Sequence, residues 1–253
     1  MGRTIAIANQ KGGVAKTTTA VNLSACLAEM GCKVILLDLD PQGNATSGMG
    51  IAKNKLTRSV YDVLINDAAL DDVLVKTELK LLKVVPSQIE LAGAEIELVA
   101  EPERELKLRK AIQGLSEKYD FMFIDCPPSL GLLTLNALTA AGEVLIPVQC
   151  EYYALEGLTL LMNTLQRVTR SLNPDLQILG AVLTMFDGRT NLSIQVVDEV
   201  KKFFQSKVFP TIIPRNVRLG EAPSHGKPIV LYDPRSRGAE VYWDLAKEVL
   251  ERG

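Results

Sequence analysis

The chain has 253 residues, with Lys+Arg 28 against Asp+Glu 30, a formal charge of −2, and it is 47% hydrophobic and 23% charged. That mix supplies a sizeable core and excludes an intrinsically disordered chain. The near-zero net charge excludes a protein that coats nucleic acid by bulk charge, but leaves room for a local basic face.

From the amino terminus, a charged Arg3 leads straight into a strand over Thr4–Asn9, so no signal peptide is expected. Further strands are predicted at Val34–Asp38, Leu81–Val85, Phe121–Asp125, Val144–Val148, Ile178–Thr184 and Val208–Ile213. Helices are predicted between them at Lys16–Met30, Glu103–Lys118, Leu132–Ala141, Leu155–Ser171, Leu192–Ser206 and Ala239–Glu251. Leu155, Leu158, Met162, Leu165 and Val168 repeat at the 3,4 spacing of one buried helix face. Strands apolar along their whole length, alternating with helices, imply an α/β fold: a mainly parallel sheet flanked by helices on both faces. No repeat, linker or low-complexity tract interrupts the pattern, so residues 1–253 are expected to form one domain. The longest uncharged run, Cys126 to Gly142, carries two prolines and two glycines and reads as a buried turn and helix, not a membrane span. Four cysteines without a C-x-x-C pair and a single histidine, His225, leave no zinc constellation and little material for a Ser-His-Asp triad. The cysteines read as small buried hydrophobes in a reducing cytoplasm.

In such folds ligands sit at the carboxyl ends of the strands. After the first strand comes Gln10-Lys11-Gly12-Gly13-Val14-Ala15-Lys16-Thr17-Thr18-Thr19, then a helix. A strand, a glycine-rich turn, Lys-Thr and a helix amino terminus together cradle phosphates, because backbone N–H groups approach the anion and the helix adds its positive end. In that arrangement Lys16 reaches the β- and γ-phosphates and the Thr17 hydroxyl binds Mg²⁺. The strict G-x-x-x-x-G-K-[ST] pattern fails at both glycines, which are Gln10 and Ala15 here. Alanine at position 15 fits only with a negative φ and a methyl clear of the phosphates.

The string K-G-G-x-x-K-T-T resembles the deviant Walker A motif of the ParA/MinD family of ATPases. By that resemblance Lys16 is the P-loop lysine and residues 11–18 (Lys11, Gly12, Gly13, Val14, Ala15, Lys16, Thr17, Thr18) bind ATP. Lys11 is then the signature lysine that reaches across an ATP-sandwiched dimer to the partner's nucleotide.

The second strand ends in Asp38-Leu39-Asp40-Pro41-Gln42-Gly43-Asn44. A lone acidic residue in such a loop is often a helix cap, but the string resembles the family's second motif. The resemblance makes Asp40 the residue that orients the hydrolytic water, and Asp38 a support of the phosphate and Mg²⁺ region. Phe121–Asp125 is four apolar residues followed by Asp, the shape of a Walker B segment whose carboxylate holds Mg²⁺. The metal set is thus Thr17, Asp38 and Asp125; Cys126 reads as packing. No N-K-x-D string is present, so adenine is favoured over guanine. Pro214-Arg215-Asn216 resembles the family's adenine-side loop, with Met185 and Phe186 flanking the base.

Between Arg189 and Arg237 there are nine basic and four acidic residues, a net of +5 in a weakly acidic protein. Such asymmetry suggests a phosphate-facing surface, the alternative being a solvated one. The resemblance places DNA-gripping arginines at Arg189 and Arg218, with Lys201 and Lys202 nearby. It covers nearly the full length and is closest to the small chromosomal ParA (Soj) type, without an operator-binding extension. It implies a cytoplasmic, nucleoid-associated homodimer that binds double-stranded DNA without sequence preference and hydrolyses ATP faster when stimulated by a ParB-type partner. Three other readings stay open. One is a related ATPase that positions another cargo on the nucleoid. The second is a MinD-like membrane switch, disfavoured by the acidic Glu248–Gly253 tail. The third is a metabolic P-loop ligase of the dethiobiotin synthetase type, for which no second substrate site is evident.

Overall fold

β1 (Arg3–Ile7) is apolar and buried from Ile5 onward because it runs into a sheet covered on both faces: Ile5 and Ile7 enter one core layer, Ala6 and Ala8 the other. The computed structural model describes residues 2–151 and 154–252. Along the chain α1 (Lys16–Glu29), β2 (Val34–Asp38), α2 (Asn44–Gly48), α3 (Val60–Ile65), β3 (Val75–Lys76), β4 (Leu82–Val85) and α4 (Leu91–Glu97) follow. Next come α5 (Lys107–Ala111), β5 (Phe121–Asp125), α6 (Leu132–Ala140), β6 (Glu143–Gln149) and α7 (Ala154–Ser171). The last third holds β7 (Gln177–Phe186), α8 (Asn191–Phe204), β8 (Val208–Pro214), α9 (Val217–Glu221), α10 (Ile229–Tyr232) and α11 (Arg237–Glu251).

The strands form one sheet in the order β3-β4-β2-β5-β1-β6-β7-β8. All pairings are parallel except that of β3 with β4, where a two-residue antiparallel strand closes the edge. The cores of α1, α2 and α9 to α11 cover one face, and those of α3 to α8 the other. This is the α/β arrangement expected from the sequence. Leu158, Leu165 and Val168 of α7 are buried and Met162 packs against them, while the Leu155 side chain lies outside those described.

The helix predicted over Glu103–Lys118 is not continuous: 3-10 turns at Arg104–Leu106 and Leu115–Glu117 flank a single helical piece, α5. Asn136 of α6 takes the backbone groups that would have extended it, accepting from Leu108 N at 3.1 Å and donating to Arg104 O at 2.8 Å. Gly114, at φ +83°, then turns the chain out of helical geometry. Cys26, Cys126 and Cys150 are buried and Cys32 is half-buried, all as free thiols. Burial pushes Cys26 and Cys150 up to about 12, so these thiols pack and do not react.

Candidate functional site

The loop between β1 and α1 is pinned at three points. Asn9 accepts from Lys11 N at 3.1 Å and donates to Pro147 O at 2.7 Å, which ties the loop's start to β6. The Thr184 hydroxyl, at the end of β7, donates to Val14 O at 3.1 Å. Lys16 Nζ folds back to donate to Lys11 O at 3.0 Å, closing the loop across its mouth. Gly13 takes φ +74°, and a Cβ built on Gly12 or Gly13 would meet nothing within 4 Å, so the loop's inner face is open. α1 starts without a side-chain cap. The unpaired N–H groups of its first turn therefore face the same space, as anion binding requires. Burial lowers the pKa of Lys16, opposed by the charges of Asp125, Cys126 and Asp40.

Ala15 sits at φ 67°, ψ 32°, against the expected negative φ. The turn into α1 needs a left-handed residue at this position, and here alanine supplies it at a cost of about 1–2 kcal/mol. Ala15→Gly relieves that strain but loosens the unfolded chain by about 0.4–1 kcal/mol, so a net gain of roughly 0.5–1 kcal/mol is expected in urea unfolding. An unchanged or lower midpoint would mean that methyl contacts offset the strain.

Asp38 and Asp125 end neighbouring strands and face each other in register. Both are fully buried. Asp38 is saturated: Thr46 N and the Thr46 hydroxyl both donate to Oδ2 at 2.7 Å, and Asp40 N donates to Oδ1 at 3.2 Å. Burial still lifts it to about 6. Neither Asp125 oxygen has a hydrogen-bond partner among the described residues. Burial first, then the Asp38 charge, hold Asp125 well above the usual carboxylate range, with the nearby Thr17 hydroxyl and Lys16 pulling down. A buried carboxylate whose one nearby donor is the Thr17 hydroxyl, with no hydrogen bond of good geometry, marks a place where a cation fits. Among the described residues no group of three or more His, Cys, Asp or Glu forms a metal cage. Asp125 and Thr17 are the donor set suited to Mg²⁺, which binds through one or two protein oxygens plus phosphates and water. Asp38, assigned to the metal by resemblance, is occupied in clamping Thr46 and the turn at Asp40.

These raised carboxylates set a pH dependence. A folded pKa above the unfolded one means the folded state binds more protons between the two values, so stability falls as pH rises through about 6. The apo protein is therefore expected to melt higher at pH 5 than at pH 7. Mg²⁺ with nucleotide should flatten or reverse that trend, and an apo protein most stable at pH 7 would contradict the assignment.

Asp40 is half-buried, and its Oδ1 accepts from Gln42 N at 2.9 Å. Oδ2 has no partner among the described residues. Gly43 follows at φ 61°, where a Cβ would lie 2.9 Å from Ser87 O, so the turn at Asp40 packs tightly onto the loop after β4. In the segment that the resemblance assigns to the base, Arg215 N donates to Phe186 O at 3.0 Å and Pro214 pairs with Phe186, which brings Met185, Pro214 and Arg215 together. Met185 itself is left-handed, at φ 51°. The Asn216 side-chain oxygen caps α9 by accepting from Arg218 N and Leu219 N, which leaves only its NH₂ for a base.

Glu151, just after β6, joins the two halves of this edge: it lies 3.7 Å from Lys11 Nζ and 3.3 Å from Arg215. Sequence reasoning missed it, although a charge directly after a buried strand was the available signal. Thr46 and Thr184 were also missed, and only their spatial partners reveal them.

The basic residues do not form one cluster. Arg189 and Arg218 lie at the carboxyl edge, whereas Lys201 and Lys202 occupy the last turn of α8. At 1.5 Å per residue, that turn is roughly 15 Å down the helix from its start. Several are already paired: Arg189 with Asp187 at 2.7 Å, Lys202 with Glu199 at 2.8 Å, and Arg218 with Glu221 at 2.8 Å and Asp233 at 3.5 Å. No helix among the described residues is long and apolar enough to cross a membrane.

Residues 2–178 match a family model described as an AAA domain. The chain is 63% identical to the sporulation initiation inhibitor protein Soj of Bacillus subtilis over 100% of both chains. It is 55% identical to the chromosome partitioning protein ParA of Myxococcus xanthus, over 100% of this chain and 89% of that one. Among solved structures, cobyrinic acid a,c-diamide synthase from Mycobacterium smegmatis, with bound ADP and magnesium, is 41% identical. It superposes with a TM-score of 0.87 over 99% of this chain and 95% of that one.

Proposed function

The chain belongs to the ParA/Soj family of chromosome-partitioning ATPases, and from that premise we propose that it is an ATP-driven dimerising switch on nucleoid DNA. It is a partition ATPase that uses ATP and Mg²⁺. In the proposed cycle the ATP-bound chain pairs with a second copy, the dimer holds duplex DNA without sequence preference, and hydrolysis returns free monomers. A ParB-type partner accelerates that hydrolysis.

The chemistry is positioning plus electrostatics. The first-turn N–H groups of α1 and the Gly12–Gly13 turn would hold the phosphates, and Lys16 Nζ would exchange its bond to Lys11 O for a phosphate oxygen. Mg²⁺, when bound, neutralises phosphate charge, and Thr17 and Asp125 are the residues that would hold it. Asp38 fixes the turn through Thr46 and the Asp40 amide, so that Asp40 Oδ2 is free to accept a proton from the attacking water. Met185, Pro214 and Arg215 would border the base.

The observation that carries the dimer reading is Lys11. It sits in the phosphate loop, yet its Nζ lies 3.7 Å from the half-exposed Glu151, and the side chain is 28% exposed. A cation held loosely at the rim is available to a second molecule's nucleotide. Light scattering tests this: a monomer-to-dimer shift is expected with ATP and Mg²⁺ but not with ADP, and Lys11→Ala should abolish it while ATP still binds. A Lys11→Ala protein that dimerises like the wild type would overturn the role.

A ligase reading has one point in its favour, the likeness to the cobyrinic acid a,c-diamide synthase of Mycobacterium smegmatis. Hydrolysis that required a small co-substrate and ignored DNA would support it.

A further inference from the structure

The segment that carries Arg218 takes its order from the elements around the phosphate loop. α9 and α10 are five and four residues long, too short to hold helical geometry by themselves. α10 starts after Pro228 without a side-chain cap of its own. Its first N–H, that of Ile229, donates instead to Asn22 Oδ1 on α1 at 2.7 Å, a buried bond across 207 positions of the chain. The Nδ2 of the same side chain donates to Thr18 O at 2.8 Å, in the first turn of α1. Asn22 is itself buried, so both of its bonds are shielded from water.

A second junction lies on the α2 side. Gly50, just after α2, takes φ +76°, and Gly226, which follows the 3-10 turn Ala222–His225, takes φ +62°. A Cβ on Gly50 would lie 2.9 Å from Gly226 O, and one on Gly226 would lie 2.8 Å from Gly50 Cα and 3.5 Å from Ser47 O. The two backbones therefore touch directly, and only glycine fits either place. α2 is the helix whose Thr46 clamps Asp38. Beyond Ile229, Asp233 N donates to Ile229 O at 2.8 Å, and the Asp233 carboxylate lies 3.5 Å from Arg218 Nε. Glu221 holds the same guanidinium at 2.8 Å and accepts from the Tyr232 hydroxyl at 3.2 Å. Both carboxylates that hold Arg218 are thus tied to α10, and α10 hangs on Asn22.

We propose that Asn22 and the Gly50–Gly226 contact form a joint through which nucleotide in the phosphate loop sets the placement of Arg218 inside a single subunit, before a second copy joins. Asn22 is a positioning residue: it lies one turn beyond the phosphate loop and acts through Ile229 and Asp233. A ligand that fixes the first turn of α1 fixes Thr18 O, and the contiguous chain of bonds carries that order to residues 217–233. The Gly50–Gly226 contact does the same from the turn that holds Asp38 and Asp40. Nucleotide in the loop and DNA on Arg218 rest on the function proposed above; the contacts of the joint do not.

Hydrogen exchange of the full chain, apo and with ADP and Mg²⁺, tests this without a dimer or DNA. In the wild type, residues 11–18 and residues 217–226 are both expected to exchange at least about threefold more slowly with ADP. Asn22→Ala removes both bonds: 11–18 should still be protected, while 217–226 should no longer respond. Gly50→Ala, which drives a methyl onto Gly226 O, is an independent variant expected to give the same result, and melting temperatures show whether each folds. On DNA with ATP, the readout is a double-mutant cycle. Asn22→Ala should weaken retention about threefold or more in the wild type and in Arg189→Ala but not in Arg218→Ala, a selectivity that general destabilisation would not produce. The proposal is overturned if 217–226 ignores ADP in a wild type whose 11–18 responds, or if Asn22→Ala keeps the response, the loop at 214–216 then being its carrier. It is also overturned if Asn22→Ala weakens DNA retention as much without Arg218 as with it. A wild type whose 11–18 ignores ADP would sink the nucleotide reading and this proposal together. One that answers ADP but never retains DNA would sink the DNA reading alone and leave the joint standing on the exchange data.

Discussion

Lys16→Ala is expected to weaken ATP binding by about 100-fold or more and to abolish hydrolysis while leaving the fold intact. Lys16 is the buried cation of the phosphate loop, and its Nζ already lies at the loop's mouth on Lys11 O. Charge-assisted hydrogen bonds contribute about 1.5–3 kcal/mol each, and two phosphate contacts together correspond to that loss or more. The fold should tolerate the change because the folded state disfavours the charge: burial lowers the Lys16 pKa despite Asp125, Cys126 and Asp40. Removing the ammonium removes that desolvation cost and also a favourable partner of Asp125, two effects of opposite sign. Lys16→Arg should not restore binding, since a planar guanidinium does not fit the point-charge geometry of the loop. Titration of a fluorescent ATP analogue measures this, and an affinity within threefold of the wild type would remove Lys16 from the site.

The second large effect is expected from Asp40→Ala: hydrolysis falls about 10²–10⁴-fold, as for loss of a proton-accepting group, while ATP affinity stays near the wild-type value. The separation follows from position. Asp40 lies on the turn beyond β2, not in the phosphate loop, with one oxygen committed to Gln42 N and the other unpartnered. Under the switch reading, this variant should accumulate as an ATP-bound dimer. Asp40→Asn is the sharper companion, because it keeps the acceptor oxygen for Gln42 N but loses the negative charge that draws a proton from water. A single-turnover assay of preloaded ATP distinguishes slow chemistry from slow exchange, and near-normal turnover in either variant would assign the water to another group.

The strand, loop and helix that frame the candidate phosphate loop were legible because their signal is local: strand, glycines, Lys-Thr and helix within a few residues. The place of Asp125 was legible for a similar reason, being the first charge at the end of a buried strand. The state of Asp38 was not, because its partner Thr46 sits on a five-residue helix whose length gives no periodicity to read. Ala15 shows the limit of composition: a non-glycine residue suggested negative φ, and the turn into α1 overrode that preference. The broken helix at 103–118 failed through tertiary competition, since Asn136, 28 residues beyond Leu108, takes its backbone groups.

The basic segment was visible as charge, but its pairing was not. Under the proposed function Arg189 and Arg218 would exchange internal carboxylates for phosphates, so each would contribute less than a free cation. The proposed DNA face would therefore be conditional, strengthened when a second copy doubles the number of contacts.

Retention of random-sequence duplex DNA, measured with ATP, with ADP and without nucleotide at two salt concentrations, tests the central claim most directly. The account predicts retention with ATP only, weakened by salt, and a shallower salt dependence for Arg218→Ala by about one counterion. Equal retention in all three nucleotide states, or none in ATP under conditions where the dimer forms, would contradict it.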